Sequence, residues 1–209
     1  MTQEIEETVC ALRHQNSLKT QPFHLVHIDY YCKDSSGRYL GCDFVLAEFS
    51  FVDGVRKAFH AFINASEIPL GYASQAFKHA TENHLITLPP VSESHHQEIL
   101  SNIRSFLMRE DGDETKLPPL YTRPGDTGAA ESVLWQLNER PGPHMNAGRD
   151  SFRIHSVCKQ FHTLRNASMD GLSEVILPPN FLPEHELIND ALEFTDGISC
   201  DFHEELEEM

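Results

Sequence analysis

Three apolar segments follow one another in the first third of the chain, and their spacing constrains the fold more than any other feature. The segments FHLVHIDYY, CDFVLAEFSF and VRKAFHAFIN are rich in the aromatic and aliphatic residues that favour partly buried strands. The connections KDSSGRYLG and VDG contain the Asp, Ser and Gly residues that form turns. We therefore predict three antiparallel strands joined by short turns.

The rest of the chain alternates between helical and strand patterns. The predicted helices are SQAFKHATENH, capped by Ser74, then SHHQEILSNIRSFLMRE, AAESVLWQLNER, CKQFHTLRNA and EHELINDALEF. Short strands are predicted at Leu120 to Thr122 and in SFRIHSV. Strand and helix units that follow three antiparallel strands predict an α/β fold with a mixed sheet flanked by helices.

Length and hydropathy favour one folded unit. With 209 residues and 40% hydrophobic content, the chain can bury one substantial core and is short for two domains. We expect residues 1–20 to form a helical N-terminal extension and residues 21–209 to form the domain. No apolar run reaches the ~18 residues of a membrane span, and the N-terminus lacks the basic start of a secretory signal. We expect an intracellular protein without membrane attachment.

Cysteine count and net charge argue against two classes of protein. The five cysteines are odd in number and irregularly spaced, which argues against a disulfide framework and leaves reduced thiols or a metal site. The formal net charge of −16 argues against general DNA binding, because affinity for phosphates comes from Lys and Arg that release counterions. One stretch nevertheless collects positive charge and leaves a local basic groove open: Arg140, Arg149, Arg153, Lys159 and Arg165.

Two stretches of the chain resemble the Maelstrom family. The first runs from Cys42 to Pro90 and contains EFSFVDG, AFHAFINASEIPLGYASQAFKHATENH and LITLPP, and the second is CDFHEE from Cys200. In Maelstrom domains a strand that ends in FHxFIN precedes an IPxGY loop, a His and a Pro-rich link, and a CxxH element lies near the end. The resemblance implies a ribonuclease-H-like fold and a role in germline small-RNA silencing.

The resemblance also implies a structural zinc. The family pattern of Glu, His, His, Cys, His and Cys falls on Asp43, His60, His84, Cys200 and His203. The Glu and the last three members hold zinc in the family, so Asp43, Cys200 and His203 would bind Zn²⁺ and staple the domain. His60 and His84 would then support or pack against the site. Cys158 and His162, four apart on a helical pattern, are an alternative ligand pair.

Two departures from the family pattern affect this zinc site. Asp43 stands where the family has Glu, and its side chain is one methylene shorter, so the backbone must come closer to the metal. No residue matches the final Cys of the pattern. We therefore expect the domain to lack its C-terminal end or to draw its fourth ligand from elsewhere.

The sequence argues against the two-metal chemistry of the related exonucleases. Those enzymes hold two divalent ions through carboxylates, beginning with an Asp-x-Glu pair on the first strand. Here the first strand offers only Asp29, which Tyr30 and Tyr31 follow. Asp43 and Glu48 are five residues apart, which places them on opposite faces of a regular strand. We predict no classical exonuclease site and name no catalytic residue.

The function implied by the resemblance is that of a module of the piRNA pathway in transposon silencing. Such a module would bind single-stranded RNA, silencing partners or both. The five basic residues would contact RNA, with Tyr121 or Trp135 as stacking surfaces, although solvated arginines and core aromatics would give the same pattern. A metal-independent single-stranded-RNA endonuclease and a protein-binding adaptor with an acidic C-terminal tail are the alternatives.

The resemblance carries two further expectations. Family members often have an HMG box ahead of this domain, and the short N-terminus lacks the basic, aromatic helices of such a box, so we expect no direct DNA bending. The implied location is the cytoplasm, in perinuclear nuage, and the nucleus.

Overall fold

A mixed sheet of five strands organises the part of the chain that the computed structural model describes, residues 17–64, 67–86, 95–108, 117–138, 152–158 and 160. Its strands are β1 (Phe23–Lys33), β2 (Tyr39–Ser50), β3 (Gly54–Phe62), β4 (Leu120–Thr122) and β5 (Ile154–Ser156). The strand order is β3-β2-β1-β4-β5. The first three strands pair antiparallel, whereas β4 runs parallel to both β1 and β5. The predicted mixed sheet is confirmed.

The turns between the first three strands use the residue types that the sequence predicted. In the first turn, Asp34 Oδ1 accepts hydrogen bonds from the backbone N–H groups of Ser36 at 2.9 Å and Arg38 at 3.0 Å. Gly37 has a φ of +86° and Gly54 a φ of +69°, in the left-handed region that glycine adopts without strain. These local bonds and backbone conformations set where each strand reverses.

Two helices cover one face of the sheet, and we number the helices α1 (Ala73–His79), α2 (His96–Leu107) and α3 (Thr127–Asn138). Helices α2 and α3 bury residues at the helical spacing that the sequence predicted. These residues pack against alternate residues of β1 and β2 in one core: Val26, Ile28, Phe44, Leu46, Ile99, Ile103, Leu107, Val133, Leu134 and Leu137. The predicted flanking helices are confirmed for this face.

Helix α1 packs at one end of the sheet. The prediction that Ser74 caps it is wrong, because the residue that precedes the helix is Tyr72 and makes no capping hydrogen bond with its side chain. The helix continues directly into a π-helical turn, Ala80–His84. Leu85 ends this turn with a φ of +57°, an uncommon conformation for a leucine. Ala76 of α1 belongs to a small apolar cluster with Cys42.

Some predictions concern residues outside the described ranges. These are the N-terminal helix over residues 4–15, the last helix in EHELINDALEF, and most of the helix in CKQFHTLRNA. They stay predictions. Among the described residues, none of the helices has both the length and the apolar character that crossing a bilayer requires.

Candidate functional site on the polar face of the sheet

The sheet face that points away from α2 and α3 carries several titratable side chains. The strand register places His27 and His60 opposite Val45, and Asp29 opposite Asp43. Since successive residues of a strand point to opposite faces, these side chains share one face, while Ile28, Phe44 and Leu46 occupy the other. We call the face that carries His27, Asp29, Asp43 and His60 the polar face.

A β-bulge brings a thiol to this group. The pairing of β1 with β2 skips Cys42, which lies between the residues opposite Asp29 and Tyr30. A bulge re-aims the side chain of the extra residue. The Cys42 sulfur lies 3.6 Å from Nε2 of His84, at the end of the π-helical turn. Two backbone irregularities therefore bring together side chains that are 42 residues apart.

Asp43 and His60 form a buried pair next to the bulge. Asp43 is only 1% exposed, and its Oδ1 lies 2.5 Å from Nε2 of His60. The same oxygen accepts the backbone N–H of Phe44 at 2.9 Å. The register explains the contact, because Asp43 and His60 are diagonal neighbours on β2 and β3. Two of the residues taken from the family pattern thus meet in the structure.

His84, the third residue of that pattern, is held in one tautomer. Its Nδ1 accepts the backbone N–H of Ile86 at 3.1 Å, so in the neutral ring the proton lies on Nε2, which faces the Cys42 sulfur. Burial lowers the pKa of His84, although the nearby Asp29 opposes this effect. Burial also raises the pKa of the Cys42 thiol. The two side chains pack as a neutral imidazole and a protonated thiol.

His27 lies between two carboxylates where β1 passes the end of β4. Its Nε2 is 3.3 Å from Asp29 Oδ2, and its Nδ1 is 4.0 Å from Asp126 Oδ2. Asp126 accepts a hydrogen bond from Arg123 Nε at 2.8 Å. The hydrogen bond that His27 donates to Asp29 raises the pKa of His27, whose side chain is 42% exposed. Burial is the largest single influence on the pKa of Asp29 and pushes it upward, but the hydrogen bond with His27 and the charges of His27, His84 and Arg123 together lower it, so the net shift is downward.

The sequence analysis did not name His27. Its only signal was the His-x-Asp spacing of His27 and Asp29 on the first predicted strand, which places both side chains on one face. An imidazole paired with one carboxylate does not match the pair of carboxylates that an exonuclease has on its first strand.

The predicted metal ligands are only partly within the described residues. Cys200 and His203 lie outside them, as does His162 of the alternative pair, whose partner Cys158 is buried. Within the described ranges, no group of three or more His, Cys, Asp and Glu side chains has the arrangement of a metal site. Of the three residues predicted to bind zinc from the family pattern, Asp43 lies within the described ranges.

The predicted RNA contacts are also partly described. Arg140, Arg149, Lys159 and Arg165 lie outside the described residues. Arg153 is half-buried and donates a hydrogen bond to the backbone oxygen of Leu117 at 2.8 Å. Tyr121 is only 3% exposed and packs against Phe23, so the prediction that it stacks with bases is wrong. It is a core residue.

Trp135, the other predicted stacking residue, lies in a groove beside α3. The groove has a volume of about 770 Å³. Its lining combines two aromatic residues, Trp135 and Phe152, with the charged residues Asp34, Arg38 and Glu131. Trp135 is 43% exposed, so part of this residue is open to solvent.

Comparison with known proteins identifies the family. Residues 33–209 match the Maelstrom family model, described as a piRNA pathway germ-plasm component. A protein maelstrom homolog from Culex quinquefasciatus is 28% identical over 205 residues, which cover 97% of this chain and 39% of that protein. Protein maelstrom 2 from Drosophila persimilis is 22% identical over 213 residues, which cover 99% of this chain and 48% of that protein. The chain thus spans less than half the length of these relatives.

One solved structure gives a distant match. Exonuclease I from E. coli, in complex with a 5cy-dA13 oligonucleotide, aligns with a TM-score of 0.36 and 7% identity over 77% of this chain and 32% of that one. A likeness at this level supports no conclusion about function. The family model, in contrast, covers most of the sequence, including Asp43, His60 and His84. On that evidence the chain belongs to the Maelstrom family.

Proposed function

We propose that this chain is a Maelstrom module of the piRNA pathway that acts in germline transposon silencing by binding single-stranded RNA. The observation that carries the proposal is the exposed indole of Trp135 in the groove beside α3. Single strands are held by aromatic platforms combined with positive charge, and Phe152 and Arg38 line the same groove. The family description as a germ-plasm component of the piRNA pathway supports the biological setting.

The basic residues predicted to contact RNA flank this groove in the sequence. Arg140 follows Trp135 by five residues, and Arg149 and Arg153 lie on either side of Phe152. Lys159 and Arg165 follow β5. A cluster of cations beside stacking surfaces would retain RNA even though the whole chain is acidic, because counterion release depends on local charge.

The proposed function does not use the two-metal site of the exonucleases. On β1 the carboxylate of Asp29 is bonded to His27, where a classical site has a second carboxylate. Glu48 belongs to the other sheet face and pairs with Arg56 at 3.2 Å and Lys57 at 3.2 Å. These contacts support the proposal that Asp29 and Glu48 do not form a two-metal site.

We further propose that the fold is ribonuclease-H-like and that a structural zinc joins Asp43 to Cys200 and His203. The surroundings of Asp43 support this proposal. Carboxylates that bind metals are typically oriented by a hydrogen bond from a second group, and here His60 makes that bond to Asp43. Bound zinc would add folding free energy and tie β2 to the end of the chain. His84 has both ring nitrogens engaged, so it would pack beside the site and not bind the metal.

Elemental analysis of the purified chain tests the zinc. We expect about one zinc ion per chain for a site of this type. Asp43→Asn should lower the zinc content, whereas Asp53→Asn, a matched change at the exposed β2–β3 turn, should leave it unchanged. Equal zinc content in both variants, or none in the parent chain, would contradict the proposal.

Binding of labelled single-stranded RNA tests the main proposal. Trp135→Ala should weaken binding about 5- to 150-fold, the effect of losing ~1–3 kcal/mol of stacking on one base. The matched control is Phe77→Ala on α1, an aromatic residue that is 63% exposed and lies outside the groove. Fluorescence anisotropy at two salt concentrations measures both variants.

The same titration separates the alternatives. Equal losses in the Trp135 and Phe77 variants would contradict the groove as the RNA site. If the parent chain fails to retain RNA even at low salt, the protein-binding adaptor becomes the better function, with the acidic residues after Glu184 as its contact surface. The proposed partners are then piRNA-pathway proteins alone, and the proposed locations stay the cytoplasmic nuage and the nucleus.

A further inference from the structure

Four charged or titratable side chains meet where β1 runs alongside β4. They are His27, Asp29, Arg123 and Asp126, joined by the contacts of 2.8 to 4.0 Å described above. Arg123 is the first residue after β4, and β4 is parallel to β1. In open α/β sheets, ligands bind beyond the carboxyl ends of parallel strands. The group therefore lies where this type of sheet commonly places its chemistry.

The arrangement around His27 orients one ring nitrogen for proton transfer. Asp29 accepts the proton on Nε2, so in the neutral ring the lone pair lies on Nδ1. That nitrogen is 4.0 Å from Asp126, which is longer than a hydrogen bond. The side chain of His27 is 42% exposed, which leaves part of the ring within reach of a bound molecule.

Other histidines of the polar face do not meet this condition. Nε2 of His60 is bonded to buried Asp43, and the side chain of His60 is itself nearly buried. His84 is buried and has both nitrogens engaged. Among these three histidines, His27 alone combines a carboxylate that fixes its tautomer with a ring that is substantially exposed.

We propose that His27 is the general base of a metal-independent cleavage of single-stranded RNA, with Asp29 as its positioning residue and Arg123 beside the scissile phosphate. This inference rests on the proposed binding of RNA. The guanidinium of Arg123 is exposed and forms an ion pair with Asp126, the carboxylate that faces Nδ1 of His27. A fixed cation next to a base is suited to phosphodiester chemistry, because charge develops on the phosphate oxygens in the transition state.

The proposed reaction is a transesterification that needs no second reactant. Nδ1 of His27 removes the proton of a ribose 2′-hydroxyl, and the 2′-oxygen forms a bond to the adjacent phosphorus. The bond from phosphorus to the 5′-oxygen breaks, and that oxygen takes a proton from water. The hydroxide that remains then receives the proton from His27. The products are a 2′,3′-cyclic phosphate and a 5′-hydroxyl, with no oxidation or reduction.

The charges around His27 favour this role near neutral pH. Asp29 and Asp126 raise the pKa of His27, while burial and Arg123 lower it, and the net shift is upward from the ordinary value of 6.5. A general base works best when its pKa lies near the working pH. The rate should therefore rise with pH through the pKa of His27, as the neutral ring becomes populated.

The test is cleavage of an end-labelled single-stranded RNA by the full chain, with RNA binding measured in parallel. His27→Ala should reduce cleavage about 10²- to 10⁴-fold, the usual contribution of a general base. The matched control, His95→Ala, removes another exposed imidazole at the start of α2 and should leave the rate unchanged. The parent chain should yield cyclic phosphate ends and should not cleave a fully 2′-O-methylated RNA.

Two further variants keep the test informative if His27→Ala does not fold. Arg123→Gln, at an exposed position, should reduce cleavage more than it reduces binding. Asp29→Asn should move the rising limb of the pH profile toward lower pH, because Asp29 raises the pKa of His27. A purely structural role of Asp29 would change stability without moving that limb.

The outcomes separate this inference from the proposed function. Full cleavage by both the His27 and Arg123 variants would overturn the inference, as would products that carry 5′-phosphates. Binding without any cleavage by the parent chain would also overturn it and leave RNA binding intact. A parent chain that does not bind RNA would instead remove the proposed function itself.

Discussion

The two faces of the central sheet differ in the side chains that they bury. On the face covered by α2 and α3, Phe44 and Leu46 are fully buried among apolar side chains. On the polar face, the same strand presents Asp43, which is buried just as fully but beside an imidazole. Because side chains alternate along a strand, β2 contributes to a hydrophobic core and to a polar cluster at once.

Several irregularities of the backbone lie beside the titratable side chains of the polar face, and one more interrupts the pairing of β2 with β3 between Glu48 and Phe49. The bulge at Cys42, the π-helical turn at Ala80–His84 and the left-handed Leu85 all lie around the contact between Cys42 and His84. Bulges and π-helical turns occur frequently at functional sites, where they re-aim side chains. The comparison teaches that one face of the sheet packs a hydrophobic core, whereas the other collects the contacts between titratable side chains.

The largest expected effect comes from breaking the apolar face. Phe44→Ala should lower the free energy of unfolding by about 3–5 kcal/mol, because it removes a fully buried aromatic ring and leaves a cavity. Phe62→Ala, which truncates an exposed phenylalanine on β3, is the control and should cost much less. Urea unfolding followed by circular dichroism measures both. Similar losses in the two variants would mean that the two faces do not differ as described.

A smaller effect is expected from the buried pair on the polar face. Asp43→Ala should cost about 1–3 kcal/mol, because it leaves the N–H of Phe44 and the ring of His60 without their shared acceptor. The double variant Asp43→Ala with His60→Phe should be less destabilised than the sum of the single changes. Additive losses in this double-mutant cycle, measured by urea unfolding, would show that the two side chains do not interact.

The apolar face could be predicted from sequence because its signals are local. Alternation along the strands and helical spacing located every element that builds the main core, and β4 was predicted at its observed bounds, Leu120–Thr122. The turn residues Asp34 and Gly37 also had the predicted roles. The cap predicted at Ser74 was wrong, because Tyr72 precedes the helix and makes no side-chain capping hydrogen bond.

The side-chain contacts of the polar face could not be predicted in the same way, because local sequence patterns do not contain the information that determines them. Asp43, His60 and His84 were singled out through the family resemblance, and their contacts depend on strand register. Cys42 meets His84 only because a bulge and a π-helical turn shift their directions, and neither irregularity has a clear sequence signal. His27 was missed because its partner Asp126 lies across a parallel pairing that brings distant segments together.

The smallest expected effect is a change in how stability depends on pH, because the pKa values of two histidines shift in opposite directions. Burial lowers the pKa of His84, so the unfolded chain binds more protons there and stability falls as pH decreases through and below 6.5. The pKa of His27 is raised, so its contribution is fully present below 6.5 and is lost as pH rises through the folded value. In the parent chain the two histidines therefore change the free energy of unfolding with pH in opposite directions. Single variants are needed to separate the two contributions.

His84→Gln should therefore flatten the loss of stability on the acidic side, while His27→Gln should flatten the loss on the basic side. Urea unfolding at several pH values, from about 5.5 to 7.5, measures both slopes. We expect the change from His27 to be the smaller one, because its half-exposed ring is partly screened by solvent. If both variants changed the slope in the same direction, the buried and the exposed histidine of the polar face would share one environment, and the assignment of His27 as the accessible base would lose its electrostatic support.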